Sequence, residues 1–190
     1  MRSPEGWAGH AVVSPAVSDR VAVVTGAGKG IGAAVARRLA DGGHHVVVND
    51  ISTEAADRVA AEVRGEAAVF DVAEADAVTE AIDAVHARHG RLDVVVNNAG
   101  MLGMSDDVLA RAGANMAARM AGDPIQPVQA CSGLSDEDWD RMLKVDLYGS
   151  FNMTRAALTH LEPARAGAIV NKASILGVGG NALGPAYSVA

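Results

Sequence analysis

The sequence predicts an α/β fold, in which a parallel β-sheet is covered by helices on both faces. From Arg20 onward, short runs of β-branched residues alternate with segments of helical periodicity, and a glycine-rich turn follows the first run. Strands that are buried on both faces form continuous apolar runs, and their alternation with helices is typical of parallel sheets. The 190 residues, 49% hydrophobic and 21% charged, are enough for one domain with a sizeable core, which we place at residues 20–190.

The order of the elements follows from the periodicity. Apolar residues recur every fourth position in the first helix, at Ile31, Val35 and Leu39, and two glycines end it. A capping box begins a later helix at Ser135. Strands are expected at 21–24, 46–48, 67–70, 94–96 and 169–170. Helices are expected at 31–39, 52–63 and 74–89, from 135 through 147, and near 187–190.

The segment 101–134 interrupts this alternation. A connection of this length inside a compact domain is usually functional or disordered. One helical stripe, which fits a short amphipathic helix, contains Leu109, Gly113, Met116 and Met120. Two interpretations remain open: the segment is a surface excursion or a subunit contact, or it is an adaptable lid over an apolar substrate. The lid would be formed by Met101, Met104, Met116 and Met120.

Composition excludes several functional classes. A net charge of -7 without a basic stripe argues against nucleic-acid binding. No apolar run approaches the roughly 20 residues of a membrane span, and residues 1–19 resemble a flexible tail more than a signal peptide. We therefore expect a cytoplasmic protein without membrane partners. The single cysteine, Cys131, excludes an internal disulfide framework. No metal site is expected, since the six histidines lack metal spacing and His44, His45, His86 and His89 suggest solvated helix ends.

The glycine-rich turn at residues 25–32 joins the first strand to the first helix, the context in which such a turn binds a dinucleotide. Its glycines let the backbone turn tightly and let a pyrophosphate approach the amides at a helix N-terminus. Asp50 follows the second strand, where its carboxylate can accept hydrogen bonds from an adenosine ribose. A phosphate-loop interpretation fails, because Lys29 is followed by Gly30 and not by Ser or Thr.

Four motifs resemble those of the short-chain dehydrogenase/reductase family. The turn matches Thr-Gly-x-x-x-Gly-x-Gly, residues 97–100 match Asn-Asn-Ala-Gly, Asp71–Val72 resembles the adenine-contacting pair, and Ser174 precedes Tyr187 by the family's thirteen residues. The resemblance implies a Rossmann-like doubly wound parallel sheet, with strands 1–5 present and later strands missing. It implies cofactor binding by Thr25, Gly26, Gly28, Lys29, Gly30, Ile31, Gly32, Asp50, Ile51, Asp71, Val72, Asn97, Ala99 and Gly100.

The resemblance also implies the chemistry. Tyr187 would act as the general acid or base, and Ser174 would polarise the same substrate oxygen. Asp146 occupies the place of a family Asn that helps hold a water relay; an ionised aspartate accepts but cannot donate. We expect an oxidoreductase that transfers hydride between NAD(H) and a secondary alcohol or ketone, such as a 3-oxoacyl or other hydrophobic carbonyl compound. The alternative is a catalytically inactive NAD-binding module or truncated partner subunit of the same fold.

The nucleotide and the chain end complete these expectations. Asp50 would repel the 2′-phosphate of NADP and so favours NAD, whereas Lys29 resembles the NADP-preferring members. The lysine of Tyr-x-x-x-Lys would be residue 191, so the family pattern implies truncation after Ala190. We expect the fifth strand to be an unprotected apolar edge, so that the chain alone is poorly soluble or obligately associated with another chain unless something covers that edge. Once the family fold is complete, the resemblance implies a homo-oligomer acting on a small-molecule substrate.

Overall fold

Five parallel strands form the sheet of this protein. The structure is a computed structural model that describes residues 20–101, 106–179 and 184–190, so the predicted tail at 1–19 lies outside it. The strands are β1 (Val21–Val24), β2 (His45–Asn49), β3 (Glu66–Ala68), β4 (Val94–Asn97) and β5 (Ala168–Asn171). Their order in the sheet is β3-β2-β1-β4-β5, and every neighbouring pair is parallel. This order confirms the predicted α/β fold, since the chain runs outward from the central strand β1 to β3 and then crosses to β4 on the other side of β1.

Helices cover both faces of the sheet, and each face has its own buried cluster. The helices are α1 (Gly30–Asp41), α2 (Thr53–Val63), α3 (Ala75–His89), α4 (Asp106–Ala121), α5 (Asp136–Met142), α6 (Gly149–Ala164), α7 (Leu176–Gly179) and α8 (Pro185–Val189). α1 and α2 cover the cluster that contains Val46 and Val48, while α3 and α6 cover the one that contains Val47. The central strands are therefore apolar at nearly every position, because both of their faces are buried.

The third strand is shorter than the apolar pattern predicts. It ends at Ala68, so the predicted extension to residue 70 is wrong. The side-chain amide of Asn49 donates hydrogen bonds to the carbonyls of Ala68 (3.0 Å) and Phe70 (2.9 Å). These bonds take the place of continued pairing with β2. Val69 turns outward, where it is 46% exposed.

The helix predicted from Ser135 through Leu147 begins as expected but changes its winding. The Ser135 hydroxyl accepts the Asp138 N–H at 3.1 Å and caps α5. After Met142 the chain follows a π-helical segment, Leu143–Tyr148, before α6 continues to Ala164. The prediction of a single α-helix through 147 is therefore wrong. Because a π turn holds one more residue than an α turn, this segment changes which side chains face the sheet.

The amphipathic stripe predicted within 101–134 lies on a real helix, α4. Its apolar side chains are solvent-exposed: Leu109 is 46% exposed, Met116 65% and Met120 84%. Met104, another member of the hypothetical lid, lies outside the described residues. The exposed apolar stripe fits either a lid or a surface excursion, so both interpretations stay predictions.

Strand β5 lies at one edge of the described sheet. Three of its four residues are exposed, including Val170 at 50%. An edge strand presents unpaired backbone groups to any chain that can add a strand. Association through this edge stays a prediction. Among the helices in the described ranges, none is both long and apolar enough to cross a bilayer.

Candidate active site

Two adjoining clefts open at the carboxyl ends of the strands. The first, which we call the glycine cleft, has a volume of about 450 Å³. The second, the serine cleft, has about 520 Å³. The glycine cleft is lined by Gly26, Arg141, Val145 and residues 29–32, 49–51, 70–72, 98–101 and 172. The serine cleft is lined by Asp146, Leu147, Ser150, Gly177, Tyr187, Ala190 and residues 31, 99–101 and 171–174. They share Ile31, Ala99, Gly100, Met101 and Lys172, so they form one continuous depression.

The glycine turn is built for close backbone approach. Gly26 has a φ of +58° and Gly30 a φ of +56°, a region that L side chains rarely adopt. A Cβ on Gly26 would lie 2.8 Å from the Cα of Ala99, whereas a Cβ on Gly30 would meet open space. The turn is therefore packed against the end of β4 on one side and open to the cleft on the other.

The N-terminus of α1 has the properties of an anion site. The first amides of an α-helix have no partner within the helix. Lys29 occupies the N-cap position without a side-chain cap, and the first turn contains no acidic residue. The positive end of the helix dipole and these amides can accept a diphosphate, so the local chemistry fits the dinucleotide that the sequence predicts.

Asp50 lies on the rim of the glycine cleft, held by the backbone on both sides. Its Oδ2 accepts the Gly28 N–H at 3.0 Å, and its Oδ1 accepts the Ser52 N–H at 3.0 Å. Gly28 has no room for a side chain, since a Cβ there would lie 2.7 Å from Asp50 Oδ2 and 2.7 Å from the Ala55 Cβ. Each carboxylate oxygen keeps a free lone pair that can accept from a sugar hydroxyl. Ile51 beside it is 67% exposed.

The pair Asp71 and Val72 lines the far wall of the glycine cleft. Asp71 Oδ2 forms an ion pair with the Arg141 guanidinium at 2.9 Å, and Asp71 Oδ1 accepts the Ala73 N–H at 2.9 Å. The Val72 carbonyl accepts from the Asn152 side chain at 3.1 Å. The sequence did not single out Arg141, because its partner lies 70 positions away and no local pattern marks it.

Three of the predicted cofactor residues line neither cleft: Gly28, which lies behind Asp50, and the buried pair Thr25 and Asn97. The Thr25 hydroxyl accepts the N–H groups of Asn98 and Ala99, both at 3.0 Å. The Asn97 amide donates to side-chain oxygens of β5 and α6, at 2.7 Å and 3.2 Å. These two side chains join β1, β4, β5 and α6 under the clefts. They support the floor of the depression and do not face its interior.

The serine cleft brings together the three predicted catalytic residues. Ser174 follows β5 and its hydroxyl accepts the Leu176 N–H at 3.2 Å. Tyr187 reaches the same cleft from α8, and Asp146 reaches it from the π-helical segment. Residues that are about 40 positions apart in sequence thus line one cavity, next to the cleft that holds the glycine turn.

Asp146 is held in an unfavourable environment for a charge. Burial raises the pKa of its carboxyl, while the Met101 N–H, donated to Oδ1 at 2.9 Å, and the positive charge of Lys172 oppose that rise. The sequence motifs assign no role to Lys172, which lines both clefts. Its position directly after β5 was the available signal, because side chains following parallel strands reach the ligand-binding edge of the sheet.

Comparison with known proteins agrees with this geometry. Residues 20–190 match the family model for short chain dehydrogenases. A cis-4-hydroxycyclohexanecarboxylate dehydrogenase from Sinomonas cyclohexanicum is 39% identical over 92% of this chain and 63% of its own. A 3-oxoacyl-[acyl-carrier-protein] reductase from Thermotoga maritima is 32% identical over 87% of this chain and 59% of its own. The chain thus spans less than two thirds of the length of these relatives.

A solved structure gives the same result for the fold. The crystal structure of a ribose-5-phosphate isomerase from Brucella melitensis 16M superposes with a TM-score of 0.71 at 36% identity. The superposition covers 89% of this chain and 58% of that one. Because its name describes an isomerase, this likeness supports the shared fold and carries no argument about the reaction.

Proposed function

The chain belongs to the short-chain dehydrogenase family, and we propose that it binds NAD(H) in the glycine cleft and transfers hydride to or from a secondary alcohol or ketone in the serine cleft. The observation that carries this proposal is the continuity of the two clefts. A nucleotide on the glycine turn and a substrate beside Ser174 and Tyr187 would meet above their shared residues 99–101.

The nucleotide preference rests on Asp50. Members of the family use NAD(H) or NADP(H), and the difference is one phosphate on the adenosine ribose. Two backbone N–H groups fix the Asp50 carboxylate at the cleft rim, so it accepts ribose hydroxyls and repels a 2′-phosphate. Lys29 is exposed at the same rim, and its positive charge would instead attract a 2′-phosphate. Because the backbone fixes the carboxylate, whereas the exposed lysine side chain is left to solvent, we propose NAD as the physiological nucleotide.

The reaction rests on the side chains of the serine cleft. Bound nucleotide would supply or receive the hydride. Tyr187 would donate a proton to the carbonyl oxygen in the reducing direction and remove one from the alcohol in the oxidising direction. Ser174 would hydrogen-bond to the same oxygen and stabilise its developing charge. Lys172 would add a positive charge next to both clefts.

The substrate can be proposed only as a broad chemical class. The relatives named above act, by their names, on cis-4-hydroxycyclohexanecarboxylate and on 3-oxoacyl-[acyl-carrier-protein]. Both names are compatible with a secondary alcohol or ketone that carries a carboxyl-derived group. We propose a small-molecule carbonyl compound or alcohol of this kind. The single domain at 20–190, the homo-oligomer and the cytoplasmic location stay predictions.

The test separates nucleotide binding from turnover. NADH and NADPH are titrated by fluorescence, and oxidation and reduction are then assayed with a panel of cyclic secondary alcohols, ketones and 3-oxoacyl thioesters. We expect tighter binding of NADH and measurable turnover with at least one substrate. Tyr187→Phe should lower turnover by about 100-fold or more with NADH affinity unchanged.

Tyr148→Phe is the matched control, because this tyrosine is 54% exposed and lines neither cleft. Binding of NADH without turnover on any substrate would support the inactive nucleotide-binding module in place of the enzyme. Failure to bind either nucleotide would overturn both interpretations.

A further inference from the structure

A separate cluster of ligating side chains lies at the end of the sheet opposite the clefts. His45 begins β2, Glu66 begins β3 and His89 ends α3, and one ligand atom from each lies within 4.8 Å of the other two. The clefts lie at the carboxyl ends of the same strands. We propose that His45, Glu66 and His89 bind one divalent transition-metal ion, with Zn²⁺ as the best match.

The fold brings these three residues together through strand alternation. Val21 pairs with His45 and Val47 pairs with Glu66 in the parallel register. Val21 and Val47 belong to the buried cluster that α3 and α6 cover. Since neighbours in register face the same side of a sheet, His45 and Glu66 also face α3, whose last turn supplies His89. The sequence-based interpretation of His45 as a solvated helix-end residue is therefore wrong.

Existing contacts leave part of this cluster unsatisfied. His89 Nε2 lies 3.0 Å from Glu66 Oε1, and Arg88 binds the other carboxylate oxygen. His45 Nε2 is buried and has no hydrogen-bond partner among the described residues. The centroids of the two imidazole rings are 4.5 Å apart. A buried polar atom without a partner is unusual in native proteins, and a bound cation would satisfy this one.

The donor set and its charges suit zinc. Two imidazoles and one carboxylate are a common zinc combination, with room for a water as fourth ligand. Bond lengths of about 2.0–2.2 Å place tetrahedral ligand atoms about 3.3 Å apart. The His89–Glu66 contact of 3.0 Å is already near that spacing. The His45 ligand atom lies within 4.8 Å of the other two ligand atoms. Rotation of the half-buried His45 ring would have to shorten these distances by up to about 1.5 Å to reach tetrahedral spacing.

Electrostatics around Glu66 favour a metal ligand with one exception. Its Oε1 faces His89 while its Oε2 accepts from Arg88, so Oε1 is the oxygen that would bind the ion. The carboxyl end of α3 adds partial negative charge from its unpaired carbonyls. Arg88 is the opposing charge, but its side chain is 61% exposed and can turn toward solvent.

The experiment uses chelator-treated protein without an affinity tag. Calorimetric titration with ZnCl₂ should give one ion per chain, and the melting temperature should rise by about 5–10 °C at zinc a hundredfold above its Kd. His89→Ala and Glu66→Gln should each weaken zinc binding at least about tenfold and remove the thermal shift. His44→Ala, which changes the neighbouring histidine outside the cluster, is the control and should behave like the parent.

Circular dichroism of the metal-free variants shows whether they fold. If His89→Ala does not fold, the near-isosteric Glu66→Gln still tests the proposal. Replacement of Zn²⁺ by Co²⁺ should give the visible absorption of a tetrahedral site in the parent and lose it in both cluster variants. No zinc uptake by the parent in the millimolar range would overturn the proposal. Equal zinc affinity of the parent and Glu66→Gln would do the same.

Discussion

Replacement of Asp50 by asparagine removes the charge that we hold responsible for nucleotide choice. The asparagine side chain would retain the shape of the original but offer one acceptor oxygen in place of two. In the structure the two carboxylate oxygens already accept the Gly28 and Ser52 N–H groups, each at 3.0 Å, and leave lone pairs toward the cleft. The substitution therefore removes at least one charged acceptor for the ribose and leaves one backbone N–H facing an amide group.

The expected magnitude follows from these contacts. A hydrogen bond to a charged group contributes about 1.5–3 kcal/mol, which corresponds to a rise of about 10- to 150-fold in the Kd for NADH. For NADPH the substitution also removes like-charge repulsion, which at 4 Å and an effective dielectric constant of 20 is about 4 kcal/mol per charge pair before screening. We expect the ratio of the two Kd values to move toward NADPH by about 100-fold or more.

The assay is fluorescence titration of both nucleotides at one fixed ionic strength, because screening changes the repulsive contribution. Asp57→Asn is the matched control, since Asp57 is exposed on α2 and lines neither cleft. A ratio that moves by less than threefold would refute the assigned role of the carboxylate. An equal loss of affinity for both nucleotides leaves this ratio unchanged and would therefore refute that role as well.

Two further predictions concern the neighbouring residues. Because burial raises the pKa of Asp146 above 3.8, its contribution to stability is present below that value and is lost as the pH rises through the raised pKa. Asp146→Asn should therefore be more stable than the parent at pH 7 in urea unfolding, and the difference should vanish toward pH 4. Gly28→Ala places a Cβ 2.7 Å from both Asp50 Oδ2 and the Ala55 Cβ, so we expect a loss of about 1–3 kcal/mol in unfolding free energy. NADH affinity should fall with it, as measured by the same titration.

Each of these predictions has a control. Ser150 shares the serine cleft with Asp146 but carries no charge, so the stability of Ser150→Ala should not change with pH relative to the parent. Gly113→Ala lies on α4 where a Cβ meets nothing within 4 Å, and it should not lower stability or NADH affinity. Constant excess stability of Asp146→Asn from pH 4 to pH 8 would show that ionisation is not the cause. Parent-like stability of Gly28→Ala would mean that the turn relaxes freely.

The parts of this molecule that obey local rules could be predicted from the sequence. Apolar runs such as 21–24 and 94–96 are typical of strands buried on both faces, and the glycine turn that follows the first run requires backbone angles that only glycine adopts easily. The motifs then locate Asp50, Ser174 and Tyr187, and the structure brings all three to the edge of one sheet.

Contacts between distant segments could not be predicted in the same way. The early end of β3 depends on the side chain of Asn49, about 20 residues earlier, and the π-helical segment has an ordinary helical sequence. The role of Arg141 at the cleft could be recognised only from its ion pair with Asp71 in the structure. The cluster of His45, Glu66 and His89 joins three elements that are distant in sequence, so no spacing rule could identify it.

The continuous helical rod from α5 through the π-helical segment into α6 contributes to both clefts. Arg141 forms its ion pair with Asp71 at the wall of the glycine cleft, and Asp146 and Ser150, five and nine residues later, line the serine cleft. A tilt of this rod would move both groups at once, so a ligand that displaced the rod in one cleft would change the shape of the other cleft as well. Under the proposed function, a shift of the rod by bound nucleotide would change substrate affinity, and bound substrate would change nucleotide affinity by the same factor.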